Sequence, residues 1–158
     1  MKRAKLPFAV PPGALIAASL LAVCGSSALA DCDTPMAATV PVDQAAADPQ
    51  QSAFLGIWNG TLQGSGGSVV CERIAVQHVD ADGSAKLTFA YGSFSVPRGG
   101  GQPPLIVDAA SRELVGHIDD DGLHFTSPSG TVYLVKADGS VTAKGAAGAT
   151  GAGQFAKQ

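Results

Sequence analysis

Val70-Cys71-Glu72-Arg73-Ile74-Ala75-Val76-Gln77-His78-Val79, then Asp80-Ala81-Asp82-Gly83-Ser84, then Ala85-Lys86-Leu87-Thr88-Phe89-Ala90-Tyr91, is the stretch on which the fold turns. A period of two runs through both outer segments. In the first, Val70, Glu72, Ile74, Val76 and His78 fall on one face and Cys71, Arg73, Ala75, Gln77 and Val79 on the other. In the second, Ala85, Leu87, Phe89 and Tyr91 alternate with Lys86, Thr88 and Ala90. Such alternation lays one face of a β-strand on a core, whereas a helix would scatter the same residues around its axis. Asp82-Gly83 separates the two runs, and glycine tolerates the positive φ that tight hairpin turns demand. The stretch therefore predicts a β-hairpin.

Outward from it the pattern recurs. Residues 114–118 and 123–126 flank Asp121-Gly122, residues 131–136 and 140–144 flank Asp138-Gly139, and Ser129-Gly130 separates these pairs. With residues 57–62 and the short run 105–108, about eight strands result, and no run after residue 30 suits a helix. A single sheet of that size must protect its edges, and closure removes them. The expected fold is all-β, an antiparallel up-and-down barrel of about eight strands rather than a sandwich, occupying residues 54–144. Its longer connections are the glycine loop 64–67 and the Gly/Pro-rich segment 95–104.

The two ends read differently. Met1-Lys2-Arg3-Ala4-Lys5 carries three cations, residues 6–23 carry no charge, and Ala28-Leu29-Ala30 offers the small residues a signal peptidase requires. Residues 1–30 are thus expected to be a signal peptide cleaved before Asp31, which makes the protein periplasmic or secreted. Pro7, Pro11, Pro12 and Gly13 leave only residues 14–23 uninterrupted, short of the roughly 20 a membrane-spanning helix needs. No transmembrane anchor is expected after cleavage. Leu21-Ala22-Val23-Cys24 resembles a bacterial lipobox, but Val23 stands where that pattern takes Gly, Ala or Ser, so a lipid anchor at Cys24 is the weaker expectation. Residues 31–53, with Pro35, Pro41 and Pro49 and no aromatic side chain before residue 53, read as an irregular arm. The Gly/Ala-rich residues 145–158 read as a flexible tail.

Removing Lys2, Arg3 and Lys5 leaves seven cations against thirteen acids, a net charge of −6 for the mature chain. With no Lys/Arg cluster after residue 5, nucleic acid and anionic membrane surfaces are poor partners. Cleavage also removes Cys24. Cys32 and Cys71 are then the two remaining thiols in an oxidising compartment, and one disulfide between them is expected.

Phe54-Leu55-Gly56-Ile57-Trp58 resembles the start of a calycin-type barrel of the lipocalin and avidin group. In that group a G-x-W element, here Gly56-Ile57-Trp58, plugs one barrel end. Together with Val70-Cys71-Glu72-Arg73-Ile74, Asp82-Gly83-Ser84-Ala85 and Ala90-Tyr91-Gly92, it is also similar to a group of exported bacterial proteins of unknown function. A further resemblance, carried by residues 121–126, 129–132 and the arm, is to small periplasmic metalloprotease inhibitors, eight-stranded barrels whose N-terminal arm enters a protease cleft. That family's disulfide lies within the barrel, and here no second barrel cysteine accompanies Cys71.

The chemistry-bearing residues are few. Trp58 is expected to plug the core, and Trp58, Phe89 and Tyr91 are the candidate ligand contacts, although a small barrel is often filled by its own side chains. His78, Asp80 and Asp82 imitate a calcium loop, but Phe89 stands where that loop needs its twelfth-position Glu. His117 and His124 could face one another across the Asp121-Gly122 hairpin beside Asp119-Asp120-Asp121, which is short of a zinc ligand set. No metal or cofactor is expected. No nucleophile elbow, zinc-protease helix, phosphate loop or dinucleotide fingerprint occurs, and Glu72 and Glu113 offer no spacing argument as a carboxylate pair. The expectation is a non-enzymatic exported binding or interaction module whose partner is a small ligand or a protein. The alternative is a protease inhibitor acting through its arm. A cluster of polar side chains inside the barrel would favour an enzyme.

Overall fold

The structure, a computed structural model, describes Thr34, Pro35, Pro41, Val42 and residues 48–145 and 147–158. The expected signal peptide, Cys24 and Cys32 lie outside the described residues. One helical turn, α1 (Pro49–Ser52), precedes ten strands: β1 (Gly56–Gly64), β2 (Val69–Val79), β3 (Ser84–Tyr91), β4 (Phe94–Val96), β5 (Leu105–Val107), β6 (Ala110–Asp119), β7 (Gly122–Thr126), β8 (Val132–Val135), β9 (Ser140–Lys144) and β10 (Thr150–Lys157). Eight of them close an antiparallel barrel in the order β1-β10-β9-β8-β7-β6-β3-β2. The expected all-β, eight-stranded up-and-down barrel is the fold.

Two memberships differ from expectation. The run at 105–108 is not in the wall: β5 pairs with β4 through Phe94↔Val107 and Val96↔Leu105, forming a separate ribbon between β3 and β6. The closing strand is instead β10, within the segment read as a flexible tail. It pairs with β1 from Trp58↔Lys157 to Gly64↔Gly151 and with β9 from Thr150↔Lys144 to Gln154↔Ser140. Low complexity concealed its alternation. Gly151, Gly153 and Phe155 face inward while Thr150, Ala152, Gln154 and Ala156 are exposed. The small residues suit the seam: a Cβ at Gly60 would lie 2.3 Å from Phe155 Cδ1, and one at Gly153 would lie 2.2 Å from the Thr61 carbonyl oxygen. Pairing on both sides satisfies the backbone of a strand with little side-chain area of its own.

The arm also contains a helical turn where the sequence predicts none. Asp48 caps α1 by accepting from the Gln50 N–H at 2.8 Å, and Pro49 opens it where its missing N–H costs nothing. In β2 the register shifts between Val76↔Leu87 and His78↔Lys86. This bulge moves His78 off the inner face and turns Val79 into the core, reversing the two positions that strict alternation assigns.

The turns at 80–83, 119–122 and 136–139 share one end of the barrel with α1 and the C-terminus. Gly83, with φ of 85°, takes the left-handed conformation its hairpin requires. At this end Phe54, Trp58, Val79, Ala85, Ile118, Leu123, Val135 and Val141 are buried together. Trp58 is 3% exposed, its Nε1 donates to the Phe54 carbonyl at 2.8 Å, and Lys157 Nζ lies 5.6 Å over its ring while donating to the Ala53 carbonyl. The tryptophan closes the end, as the sequence predicts. The turns at 65–68, 127–131 and 145–149 and the β4–β5 ribbon lie at the opposite end.

Candidate functional site

The barrel is packed at the Trp58 end and hollow at the other. A cavity of about 580 Å³ opens there, lined by Leu62, Val70, Phe89 and Tyr91 from the wall and by Phe94, Val96 and Val107 from the ribbon. Small inward residues make the room. Ala143 of β9, Gly151 of β10 and Gly64 of β1 border the cavity where larger side chains would fill the lumen. A small barrel is often filled by its own side chains; this one is filled toward Trp58 and open at the opposite end.

At the boundary between the packed and hollow halves stands Glu72. Its neighbours in register are Gly60 of β1 and Tyr91 of β3, and it is 3% exposed. The Tyr133 hydroxyl donates to Glu72 Oε1 at 2.7 Å. Tyr133 lies on β8, which is four strands from β2 in either direction around the barrel, so this hydrogen bond spans the lumen as a crossbar. Among the described residues no donor reaches Oε2. Burial pushes the Glu72 carboxyl from its usual 4.5 up to about 7, the Tyr133 hydrogen bond opposing part of the rise. Burial, and then the charge of Glu72, push the Tyr133 phenol above its usual value, so it stays a hydrogen-bond donor.

Aromatic rings line one side of this crossbar. Phe94 meets Tyr91 at 6.1 Å, Tyr91 meets Phe89 at 6.0 Å, and Phe89 meets Tyr133 at 5.2 Å between ring centroids. Phe125 stacks on Tyr133 at 4.8 Å, with ring planes 6° apart. The structure therefore brings two of the three candidate contacts, Phe89 and Tyr91, to one cavity. Trp58 is not among them, since it belongs to the closed end. Glu72 and Tyr133 are the residues that sequence reading passed over as a site. The signal for Glu72 was its place among Val70, Ile74 and Val76 on an apolar face.

The other candidates lie on the surface. His117 and His124 are opposite one another in the β6–β7 register, as the hairpin predicts. His124 Nε2 is 3.1 Å from Asp119 Oδ1, and Asp119, Asp121 and His124 could bring ligand atoms within 4.8 Å of one another. Asp119 Oδ1 also accepts from the Asp121 and Gly122 N–H groups, so this carboxylate shapes the turn, and those bonds hold it below the usual range. Asp82 does the same for Ser84 N–H at 2.9 Å, and His78 contacts Asp80 at 3.0 Å. Cys71 is half-buried on β2, and its expected partner Cys32 lies outside the described residues.

In comparisons with known proteins, no family model matches the chain, and neither a curated protein nor a solved structure matches it.

Proposed function

We propose that this protein is an exported, non-enzymatic binding module that takes a small, mainly apolar ligand into the open half of its barrel, the buried Glu72–Tyr133 contact being a single hydrogen-bonded pair and not the polar cluster that would favour an enzyme. The observation that carries this reading is the cavity of about 580 Å³, walled by Leu62, Val70, Phe89, Tyr91 and Phe94 and floored by the buried Glu72–Tyr133 pair. Its size falls in the range of small-molecule pockets, and apolar walls around a few convergent polar groups are the usual composition of such sites. The Trp58 plug gives the barrel the one-ended form of a calycin cup, which supports the calycin-like resemblance of Gly56-Ile57-Trp58. The β4–β5 ribbon borders the mouth through Phe94, Val96 and Val107, where it would cover a bound molecule. Export rests on the leader read in residues 1–30.

Titration with the neutral fluorophore N-phenyl-naphthylamine tests the reading. Saturable, one-to-one fluorescence enhancement is expected, and Ala143→Leu, which places a larger side chain against the cavity, should weaken it while leaving the fold intact. Absence of saturable binding, or binding indifferent to Ala143→Leu and Gly151→Val alike, would refute it.

A further inference from the structure

We infer that the head group this cavity accepts is a protonated amine, which donates to the free oxygen of Glu72 among the rings of Phe89, Tyr91 and Tyr133. The inference rests on the binding reading above and names the ligand class for that same site. Glu72 is 3% exposed and lines the cavity. Its Oε1 is taken by the Tyr133 hydroxyl, and its Oε2 has no donor among the described residues. A buried acceptor in that condition costs roughly 1–3 kcal/mol, and a ligand donor would recover it.

The surroundings choose among donors. Among the described residues that line the cavity, Glu72 is the one carboxyl group, and there is no Lys, Arg or His. β1 presents Gly60 beside Glu72 and β3 presents Tyr91, so neither neighbouring strand brings a counter-charge. A carboxylate ligand would meet an acid with no cation to receive it. An ammonium meets its opposite charge and, in the rings, the electron-rich faces that attract cations within about 6 Å. The apolar walls then accommodate its hydrocarbon part.

Binding of this kind couples to protonation. Glu72 is pushed to about 7 when the cavity holds no cation, so below that pH the ammonium must displace a proton from the carboxyl. Affinity should be full at about pH 8 and fall roughly tenfold per pH unit below 7, reaching a loss of about 100-fold at pH 5. An alkylamine stays protonated over this whole range, as a lysine side chain does.

Calorimetric titration with octylamine, octanol and octanoate tests it on the unaltered protein. Octylamine is expected to bind at least about tenfold more tightly than octanol at pH 8, octanoate most weakly, and only the amine should lose affinity on acidification. Glu72→Gln should cost octylamine roughly 30-fold or more and leave octanol unchanged. Octanol or octanoate binding as tightly as octylamine would overturn the amine assignment and leave the cavity reading standing. Failure of all three to bind would remove the cavity reading itself. The head-group series needs no variant, so misfolding of the Gln substitution leaves the inference refutable.

Discussion

Raising the pH from 5 to 8 should destabilise the protein, and Glu72 should be the cause. Its carboxyl is pushed up from 4.5 to about 7 by burial, so between those values the native state holds a proton that the unfolded chain has released. Stability from this group is therefore full below pH 4.5 and is lost as pH rises through about 7. The gap corresponds to about 3 kcal/mol at 25 °C, a large share of the roughly 5–15 kcal/mol that holds a domain together. For a domain of this length that amounts to a melting-point drop on the order of 10–20 °C. The exposed aspartates Asp82, Asp119 and Asp138 are held low by turn hydrogen bonds, and their contribution is lost only as pH falls below the ordinary carboxylate range, outside this window. Urea unfolding at half-unit pH intervals measures the slope. Glu72→Gln should flatten it, and Tyr133→Phe, by removing the one bond that favours the ionised form, should carry the loss to higher pH. A wild-type protein equally stable at pH 5 and 8, or a Gln variant with the wild-type slope, would refute the reasoning.

Three further outcomes follow from the same framework. Phe155 is the large inward side chain of the closing strand, so Phe155→Ala should cost roughly 3–5 kcal/mol, and truncation after Lys144 should abolish cooperative thermal unfolding; an unaffected truncation would restore the tail reading. Peptide mapping of the oxidised exported protein should recover Cys32 joined to Cys71, and Cys71→Ser should lower stability by about 3 kcal/mol, whereas both thiols reacting with a blocking reagent would exclude the bridge. Intact mass of the exported chain should correspond to a start at Asp31, and a mass retaining residues 24–30 with added acyl chains would instead identify Cys24 as a lipid anchor.

What the sequence made legible was alternation, and the limits of that legibility have particular causes. The hairpin of β2 and β3 was visible because nearly every inward position, from Val70 to Phe89, is apolar and Gly83 marks the turn. β10 was not, because its inward positions include Gly151 and Gly153, whose role is to leave space, and only Phe155 reports the face. The bulge at Gln77 was invisible for a related reason. His78 and Val79 differ in polarity, but a register shift depends on the partner strand, and pairing is a long-range choice. Phe89 and Tyr91 could be placed inward from period alone. The meeting of Phe89 with Tyr133 could not, since β8 comes to face β2 and β3 across the lumen only when β10 closes the sheet.

The placement of Glu72 makes sense when the two halves of the lumen are weighed against each other. Between Ile74 and Val76 on one side and Val70 on the other, an apolar residue would complete the core without a desolvated carboxyl and without an unpaired oxygen. A Gln, Leu or Met there is expected to be the more stable choice above pH 7, because burying a charge costs more than one hydrogen bond from Tyr133 returns. The same barrel also gives up packing around that carboxyl by bordering the cavity with Ala143, Gly151 and Gly64. Both departures from a filled core fall on one spot, at the end away from Trp58, where a chain selected for stability alone would gain by closing it. Local departures of this kind concentrate where a protein binds or reacts. Under the binding reading each is accounted for at once: the small residues make room for the ligand body, and the unpaired oxygen waits for its head group.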